Sequence, residues 1–379
     1  MTDWQKKVAP VVRALEKRYD ALKYRLYYAL GGPGPIKIQP YRGYGTPRRM
    51  FLMGRVLEKR GIKPPTETDR WWNNLVNMAK RLHSREVPHA RLRARFQGVE
   101  REIAADEEGM FELWIEPQHP VAGGTWQPVA LEVVEPRSKR QLEPVCASGR
   151  VLIPSQDARF GVVSDIDDTI IQTDVGSLVQ MVRTVLLSNA RTRLPLPGAA
   201  AFYRALQAGP DSSAMNPLFY VSNGLWNLYD VLEDFFALNN LPGGPVLLLR
   251  NWGVYEDEVL PTRQREHKLG TICPILDLYE ELPFILIGDS SEADPEIYHE
   301  VVHRYGERVM AVYIRNVSKD LDRPAAVRAL ADEIAEAGSE LVLADDSLSM
   351  AHHAARRGWI SKGALPEIKS AQLRDLAGR

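Results

Sequence analysis

The chain is poor in cysteine and has no long uninterrupted apolar run. Only two of its 379 residues are cysteines, Cys146 and Cys273. Because they lack the paired spacing of a metal site, we expect both to be buried, reduced and structural. No stretch approaches the roughly 18 consecutive apolar residues of a transmembrane helix. The first residues also lack the apolar core of a signal peptide, so the sequence predicts a cytoplasmic protein.

The small net charge of −1 hides an uneven distribution of charge along the chain. Residues 1–100 contain 22 Lys or Arg and 8 Asp or Glu, a net charge of +14, which leaves −15 for the remaining residues. A basic segment of this kind favours an anionic partner. Three partners are open: an anionic membrane surface, the acidic part of the same chain, and nucleic acid. The nucleic-acid hypothesis is supported only by the positive charge of this segment, and we rank it last.

The pattern of apolar residues changes along the chain and predicts three segments. In the first segment apolar side chains recur at helical spacing between lysines and arginines, so we expect a basic amphipathic helix over residues 3–29. Such a helix fits a membrane surface, although docking on its own domain is the commoner arrangement. The segments are residues 1–35 with this helix and a Gly/Pro linker, residues 36–157 with a β-rich domain, and residues 158–379 with an α/β domain.

Alternation of apolar and charged residues predicts strands in the second segment. Apolar residues alternate with arginines in Arg91–Phe96, and a second alternating stretch covers residues 111–115. We expect Asp106–Gly109 to form the hairpin turn. Other expected elements are strands at Met50–Leu57, Val129–Val134 and Val145–Ile153 and an inserted helix at residues 69–82. The sequence therefore predicts a small antiparallel β-sandwich, in which no catalytic constellation is visible.

Strand and helix patterns alternate from about residue 158 onward, which predicts a doubly wound parallel sheet. The predicted strands are Gly161–Ser164, Leu218–Val221, Val246–Leu249, Phe284–Ile287, Val309–Ile314 and Glu340–Leu343. The predicted helices are Val175–Ala190, Gly198–Ala208, Trp226–Leu238, His267–Tyr279, Pro295–Tyr305, Ala325–Ala337 and Met350–Arg357. Open α/β sheets bind ligands at the carboxyl ends of their strands, so polar residues there are the candidates for a site.

The acidic stretch Asp165–Thr169 directly follows the first of these strands. Carboxylates clustered at a strand end favour a divalent cation, which prefers hard oxygen ligands. The alternative is a turn or a helix cap, to which Asp168 and Thr169 would be suited. The choice depends on whether the rest of the chain supplies partners for phosphate or metal chemistry.

Suitable partners occur later in the chain. Ser222 and Asn223 follow the second strand on a Gly-containing turn that can cradle phosphate oxygens. Lys268 lies near the start of a predicted helix, and Asp289 and Asp294 follow the fourth strand. Each residue alone is a weak signal, because strand-end serines and surface lysines are common. Their order, however, resembles the four-motif signature of the haloacid dehalogenase (HAD) superfamily of phosphoaspartate-forming phosphatases.

This resemblance implies a role in phosphoryl transfer for each motif residue. Asp165 would be the nucleophile that forms an aspartyl phosphate, and Asp167 would be the general acid and base. Lys268 would neutralise negative charge in catalysis, while Thr169 and Ser222 would bind the transferring oxygens.

The resemblance also implies Mg²⁺ as the cofactor. Its ligands would be Asp165, Asp289, the backbone carbonyl of Asp167, and Asp294 directly or through water. Asp168 has no assigned role. Asn223, beside Ser222, is a further candidate for substrate binding.

Within that superfamily, residues 159–316 resemble the catalytic domain of the actin-patch type of phosphatidate phosphatase. The resemblance rests on Phe160–Thr169, Tyr220–Asn223 with Trp226–Tyr229, Leu241–Pro245 with Leu249–Arg250, Phe284–Ser290 with Asp294–Tyr298, and Tyr313–Arg315. It implies a HAD-like, Rossmannoid fold and Mg²⁺-dependent hydrolysis of phosphatidate to diacylglycerol and phosphate, with Arg250 as a headgroup candidate. Gly224 and Leu225 stand where the family pattern has Ser-Pro, so the loop beside the substrate is expected to differ.

The intervals between the motifs leave no room for a sizeable cap domain, so we expect an uncapped site that stays open to lipid headgroups or macromolecules. The basic helix, Trp226 and Trp252 could then contact a phospholipid surface as a peripheral membrane protein would, although burial is the commoner fate of a tryptophan. Two other functions are open. One is an uncapped phosphatase for protein, nucleic-acid-end or soluble phosphomonoesters, and the other is a phospholipid-binding module without activity.

Overall fold

The computed structural model describes residues 34–59, 86–136, 143–171, 195–249 and 260–377. The helices expected at residues 3–29, 69–82 and 175–190 lie outside the described residues, and so do Arg250 and Trp252. The described parts of the chain form one mainly antiparallel sheet and one parallel sheet flanked by helices. The mixed α/β class is therefore confirmed. None of the helices in these ranges is both long and apolar enough to cross a membrane.

The first sheet has eight strands in the region predicted to be β-rich. They are β1 (Ile36–Pro40), β2 (Arg42–Thr46), β3 (Arg49–Glu58), β4 (Arg91–Phe96), β5 (Val99–Ala104), β6 (Met110–Ile115), β7 (Thr125–Glu135) and β8 (Cys146–Ile153). Their order is β1-β3-β2-β8-β7-β4-β5, and β6 pairs with β3. All these pairings are antiparallel except that of β2 with β8. The strands thus form one connected sheet.

The turn at Asp106–Gly109 exists, but it does not close a hairpin. The Gly109 amide donates a 3.1 Å hydrogen bond to the Asp106 carbonyl, and Gly109 has a φ of +68°, which glycine tolerates best. The strands on either side pair elsewhere, β5 with β4 and β6 with β3. The hairpin prediction was wrong because β5 was missed, and its side chains are mostly exposed and show no apolar alternation.

The arginines of β4 are paired within their own sheet. They point outward between the buried Leu92, Ala94 and Phe96. Their ion pairs are Arg91 with Glu102 and Glu135, Arg93 with Glu100 and Glu102, and Arg95 with Glu100 and Glu132. Exposed pairs contribute only about 0–1 kcal/mol each. They show nonetheless that part of the basic segment is neutralised by the same chain, one of the three partners that the charge left open.

The second sheet is parallel and has the strand order β11-β10-β9-β12-β13-β14. Its strands are β9 (Gly161–Ser164), β10 (Leu218–Leu225), β11 (Val246–Leu249), β12 (Phe284–Asp289), β13 (Val309–Arg315) and β14 (Leu341–Ala344). The described helices are α1 (Ala199–Ala208), α2 (Tyr229–Leu238), α3 (Leu260–Leu278), α4 (Asp294–Tyr305), α5 (Arg323–Glu336), α6 (Ser347–Arg356) and α7 (Leu365–Ala377). Helix α3 thus begins before the predicted His267.

Close packing explains the glycine that begins β9. A Cβ atom on Gly161 would lie 2.3 Å from the ring of Phe284 in the neighbouring strand β12. Any larger side chain would push these two strands apart. Because β9 carries the acidic stretch at its carboxyl end, this packing fixes the strand that positions the site.

The cysteine prediction was half right. Cys273 is buried and free, as expected, but the free Cys146 is exposed. Cys146 is the first residue of β8, and the inward side of that strand is taken by Gly149, Val151 and Ile153. The alternation along the strand therefore turns Cys146 outward.

The two sheets pack against each other through aromatic residues. Tyr41 and Tyr44 of the first region belong to the same hydrophobic core as the second sheet. The Tyr41 ring stacks on Trp226 with centroids 4.4 Å apart, and the Tyr279 hydroxyl donates to the Gly45 carbonyl at 3.1 Å. Trp226 is 5% exposed, so burial, not a surface role, is what the structure shows for it. The domain boundary at residue 157 stays a prediction.

Candidate active site

The polar strand ends predicted from the sequence meet at one edge of the parallel sheet. Strand β9 lies in the middle of the sheet between β10 and β12. Asp165 follows β9, Ser222 and Asn223 lie near the end of β10, and Asp289 ends β12. Because the three strands are parallel, their carboxyl ends share this edge. The Asp165 amide donates to the Ile287 carbonyl at 2.8 Å, which fixes the start of the acidic stretch against β12.

Lys268 brings the separate motifs together. Its side chain reaches from α3 into the site, and the residue is only 1% exposed. The ammonium lies 2.9 Å from Asp165 Oδ1 and 3.3 Å from Glu292 Oε2, and it donates a short hydrogen bond to Asp294 Oδ1. A buried ammonium is stable only when its charge is paired in this way. Burial raises the pKa of Asp165 well above its usual value, and the charge of Lys268 opposes that rise.

Glu292 is a site residue that the motif pattern did not predict. Its Oε2 accepts hydrogen bonds from Asn223 Nδ2 at 3.1 Å and from Lys268 Nζ at 3.3 Å. The side chain is 31% exposed, so it lies at the mouth of the site. The only sequence signal was an extra carboxylate between Asp289 and Asp294. Glu292 therefore joins the Asn223 amide at the end of β10 to the Lys268 ammonium of α3.

Asp167 and Ser222 are joined directly. Ser222 Oγ donates to Asp167 Oδ2 at 3.0 Å and accepts from the Gly224 amide at 2.9 Å. Burial, with a smaller contribution from the charge of Glu292, raises the pKa of Asp167 to about 6. A carboxyl group with that pKa can hold a proton near neutral pH and give it up again, which suits a general acid and base.

His267 supports the end of β10 from α3. Its Nε2 lies 3.2 Å from the Ser222 carbonyl oxygen, which can only accept, so Nε2 carries the hydrogen. Burial, with a smaller contribution from the neighbouring charge of Lys268, lowers the pKa of His267 to about 4, although the hydrogen bond to the Ser222 carbonyl opposes this shift. The ring is therefore neutral and donates one hydrogen bond to the strand that carries Ser222.

The loop after β12 shapes the other wall of the site. Asp289 Oδ1 accepts from the Ser291 amide at 2.6 Å and from the Ser291 hydroxyl. The Asp289 amide donates to Asp294 Oδ2 at 3.2 Å. Burial, with the nearby charge of Asp294 second, raises the pKa of Asp289 to about 7. Both Asp294 oxygens thus bind protein groups, one the amide of Asp289 and the other Lys268.

Four buried oxygen atoms of the predicted site residues have no hydrogen-bond partner among the described residues: Asp165 Oδ2, Asp289 Oδ2, Thr169 Oγ1 and Asn223 Oδ1. A buried polar atom without a partner is unfavourable by about 1–3 kcal/mol. Four such atoms, all on residues of the predicted motifs, indicate that a bound ligand supplies their missing partners.

The unpartnered carboxylate oxygens suit a divalent cation. Oxygens of Asp165, Glu292 and Asp294 lie within 4.8 Å of one another and could hold a metal ion. The Lys268 ammonium, however, already contacts all three residues. The unpartnered Asp165 Oδ2 and Asp289 Oδ2 are not among the oxygens that Lys268 contacts, so a cation bound to them would not compete with its ammonium.

Asp168 lies in the turn that follows Asp165 and Asp167. Its φ is +51°, a left-handed conformation that Asp and Asn adopt more readily than most residues. The Ile170 amide donates to the Ile166 carbonyl at 2.9 Å, which closes the turn. The turn interpretation therefore holds for Asp168. Arg250 lies outside the described residues.

Part of the chain, around the parallel sheet, is similar to known proteins. Residues 160–316 match the model of a family described as "Phosphatidate phosphatase APP1, catalytic domain". The resemblance predicted from the sequence is confirmed. The phosphatidate phosphatase APP1 of Saccharomyces cerevisiae is 31% identical over 163 residues, which are 43% of this chain and 27% of that protein. This region is therefore similar to a phosphatase catalytic domain, which supports the enzyme class predicted for it.

An uncharacterized protein of Schizosaccharomyces pombe is 29% identical over 163 residues, 42% of this chain and 26% of that protein. The matches thus span about a quarter of the length of these relatives. Among solved structures, the crystal structure of XAC1771 from Xanthomonas citri, described as a carbohydrate acetylesterase, aligns over 84% of this chain and 72% of that one. Its TM-score is 0.32 at 10% identity, too low to support a conclusion about the fold.

Proposed function

We propose that the protein is a Mg²⁺-dependent phosphatidate phosphatase that works through an aspartyl phosphate on Asp165. The observation that carries the proposal is the buried contact of Lys268 with Asp165 and Asp294, which joins three of the four motifs in one site. The fourth joins through the hydrogen bond from Ser222 to Asp167. The related phosphatidate phosphatase APP1 supports the choice of substrate.

In the first step, a carboxylate oxygen of Asp165 attacks the phosphorus atom of the substrate. The new bond is the Asp165 oxygen–phosphorus bond, and the bond that breaks joins phosphorus to the oxygen of diacylglycerol. Asp167 gives its proton to that leaving oxygen, for which its raised pKa of about 6 is suited. Lys268 and the hydroxyls of Ser222 and Thr169 stabilise the negative charge of the transferring group.

In the second step, water removes the phosphoryl group from Asp165. Asp167, now ionised, takes a proton from that water molecule as the water oxygen attacks phosphorus. The Asp165 oxygen–phosphorus bond breaks, and inorganic phosphate and the free carboxylate result. The proton balance closes, because Asp167 regains the proton that it lost in the first step.

The charge of the site explains the need for a cation. With Asp167 protonated for the first step, four carboxyl groups, those of Asp165, Asp289, Glu292 and Asp294, lie around one buried ammonium, that of Lys268. A phosphate dianion would be repelled by this excess of negative charge. Mg²⁺ would be held by Asp165 and Asp289 and would screen the nucleophile from the phosphate oxygens. The backbone carbonyl of Asp167 would complete the proposed ligand set together with Asp294, which would join through water because both of its oxygens bind protein groups.

The experiment measures phosphate release from phosphatidate in mixed micelles and from soluble phosphomonoesters, with Mg²⁺ or with a chelator. The proposal predicts turnover of phosphatidate that needs Mg²⁺ and is lost in Asp165→Asn. The matched control is Asp168→Asn, a carboxylate without an assigned role three residues after Asp165, and Asn also tolerates its φ of +51°. We expect Asp168→Asn to keep its activity.

Each alternative has its own outcome in this assay. Turnover of soluble esters alone would leave the mechanism in place but contradict the lipid substrate. Activity that survives Asp165→Asn would contradict the aspartyl phosphate. Peripheral membrane association rests on the basic helix predicted from the sequence for residues 3–29, and vesicle co-sedimentation that falls with rising salt would support it.

A further inference from the structure

The end of strand β10 leaves the regular pairing of the sheet within the substrate-binding loop. Ser222 pairs with Leu248 of β11, but the next paired residue is Leu225, with Leu249. The register therefore shifts, and Asn223 and Gly224 are passed over by this ladder. An irregular strand end is less constrained than a regular one. The positions of Asn223 and Gly224 therefore depend in part on the contacts of the residues that directly follow them, Leu225 to Tyr229.

The chain after the loop is held by the first sheet. The Tyr41 ring, between β1 and β2, lies 4.4 Å from the ring of Trp226 and 4.2 Å from that of Tyr229. The backbone amide of Arg42 donates to the Tyr229 hydroxyl at 2.8 Å. Trp226 directly follows Leu225, so the aromatic contacts begin one residue beyond the irregular strand end.

Arg55 adds a directed contact at the next residue. Its Nη1 donates to Asn227 Oδ1 at 2.5 Å. The other end of the guanidinium, Nη2, donates to Glu86 Oε1 at 2.9 Å and to the Glu108 carbonyl at 3.3 Å. Arg55 is 6% exposed and sits inside β3, whose neighbours β1 and β6 pair with it on both sides. The contacts of Nη2 therefore hold the planar guanidinium in an orientation that directs Nη1 at Asn227.

A buried guanidinium is a costly way to stabilise an interface. Apolar contacts of similar volume often stabilise a buried interface as well or better, so a buried charge contributes chiefly direction. The same interface also holds an ordinary contact further along, the hydrogen bond from Gln39 Nε2 to Asp230 Oδ1 at 2.6 Å. Asp230 lies on α2, whereas Asn227 lies in the connection between the loop and that helix.

We propose that the first sheet positions the substrate-binding loop of the phosphatase site, with Arg55 as the positioning residue acting through Asn227. The inference rests on the proposed function and gives the β-rich region a task in it. The path is short: Asn227 follows Trp226 and Leu225, and the Gly224 amide donates to Ser222 Oγ, which in turn donates to Asp167. A displacement of Asn227 would thus shift Gly224 and Ser222, and the Ser222 hydroxyl is the group proposed to bind the phosphate oxygens.

The test is a double-mutant cycle on the full chain with Arg55→Met, Asn227→Ala and the double variant. We expect each single variant to lower kcat/KM for a soluble phosphomonoester by about tenfold or more, because small displacements of catalytic groups have effects of this size. The double variant should lose no more than the single ones, since both remove the same contact. Gln39→Ala, in the same interface, should keep its kcat/KM.

Hydrogen exchange supplies a second readout that needs no activity. The Gly224 and Leu225 amides should exchange about tenfold faster in Arg55→Met and Asn227→Ala than in wild type or Gln39→Ala, because their anchor is removed. Equal exchange in all variants, or additive losses in kcat/KM, would overturn the inference. A wild type without activity on any phosphomonoester would instead contradict the proposed function, and the exchange comparison would still decide whether Arg55 holds the loop.

Discussion

His267 should contribute to the change in the free energy of unfolding with pH. Its neutral ring donates from Nε2 to the Ser222 carbonyl, and burial together with the charge of the neighbouring Lys268 lowers its pKa. Replacement by glutamine keeps a donor near the position of Nε2 but removes the titration. His267→Gln is therefore the perturbation that separates the charge of the ring from its hydrogen bond.

The expected size follows from the pKa of His267, about 4 in the folded protein against 6.5 when unperturbed. The folded state binds the proton less well than the unfolded state, so stability is complete above pH 6.5 and falls as the pH drops toward 4. Linkage over this range gives a loss of about 2 kcal/mol between pH 7 and pH 5, at about 1.4 kcal/mol per pKa unit.

The assay is urea denaturation of wild type and His267→Gln at pH 7 and at pH 5. Carboxylates elsewhere also titrate, but they do so in both proteins, and the difference between the two isolates His267. We expect the free energy of unfolding of wild type to fall by about 2 kcal/mol more than that of the variant. An equal fall in both proteins would refute the neutral, buried ring.

Two further substitutions test the charges around Lys268. Lys268→Met should lower the free energy of unfolding by about 3–5 kcal/mol in a chelator-containing urea titration, because it leaves Asp165 and Asp294 buried without a cation, and a loss below about 1 kcal/mol would contradict this pairing. Glu292→Gln should tighten product inhibition by inorganic phosphate about fivefold, because removal of a like charge next to the anion is worth about 1 kcal/mol, whereas the control Glu296→Gln, whose carboxylate pairs with Arg323, should not. Unchanged or weaker phosphate binding in Glu292→Gln would show that its carboxylate does not oppose the anion.

The strands of the parallel sheet could be predicted from the sequence because they are short apolar runs between turn residues. The bounds of β9 and β11 agree with the prediction to the residue. Elements that bury little were missed. Strand β5 has no buried residue, and helix α7 buries only Ile368 and Ala371, so neither shows a clear apolar period. The period of apolar residues in a sequence reflects which side chains are buried. An element that buries few side chains therefore shows little periodicity.

Part of the candidate site could also be predicted from the sequence, and part could not. The order of the motifs along the chain placed Asp165, Ser222, Lys268 and Asp289 at one edge, and the structure brings them together. Glu292 could not be predicted, because no periodicity or motif position demands a carboxylate there. The contact of Arg55 with Asn227 joins residues 172 positions apart. Such a contact depends on how the two sheets pack, which a single sequence does not reveal.

The most direct test of the central claim is to trap the phosphoryl group during turnover. Wild type would be acid-quenched while it hydrolyses phosphatidate with Mg²⁺, and tandem mass spectrometry would locate the modified carboxylate in the peptide around Asp165. We expect the phosphoryl group on Asp165 in wild type and in Asp168→Asn, and none in Asp165→Asn. Turnover without a trapped phosphoryl group, or a phosphoryl group on another carboxylate, would contradict the mechanism.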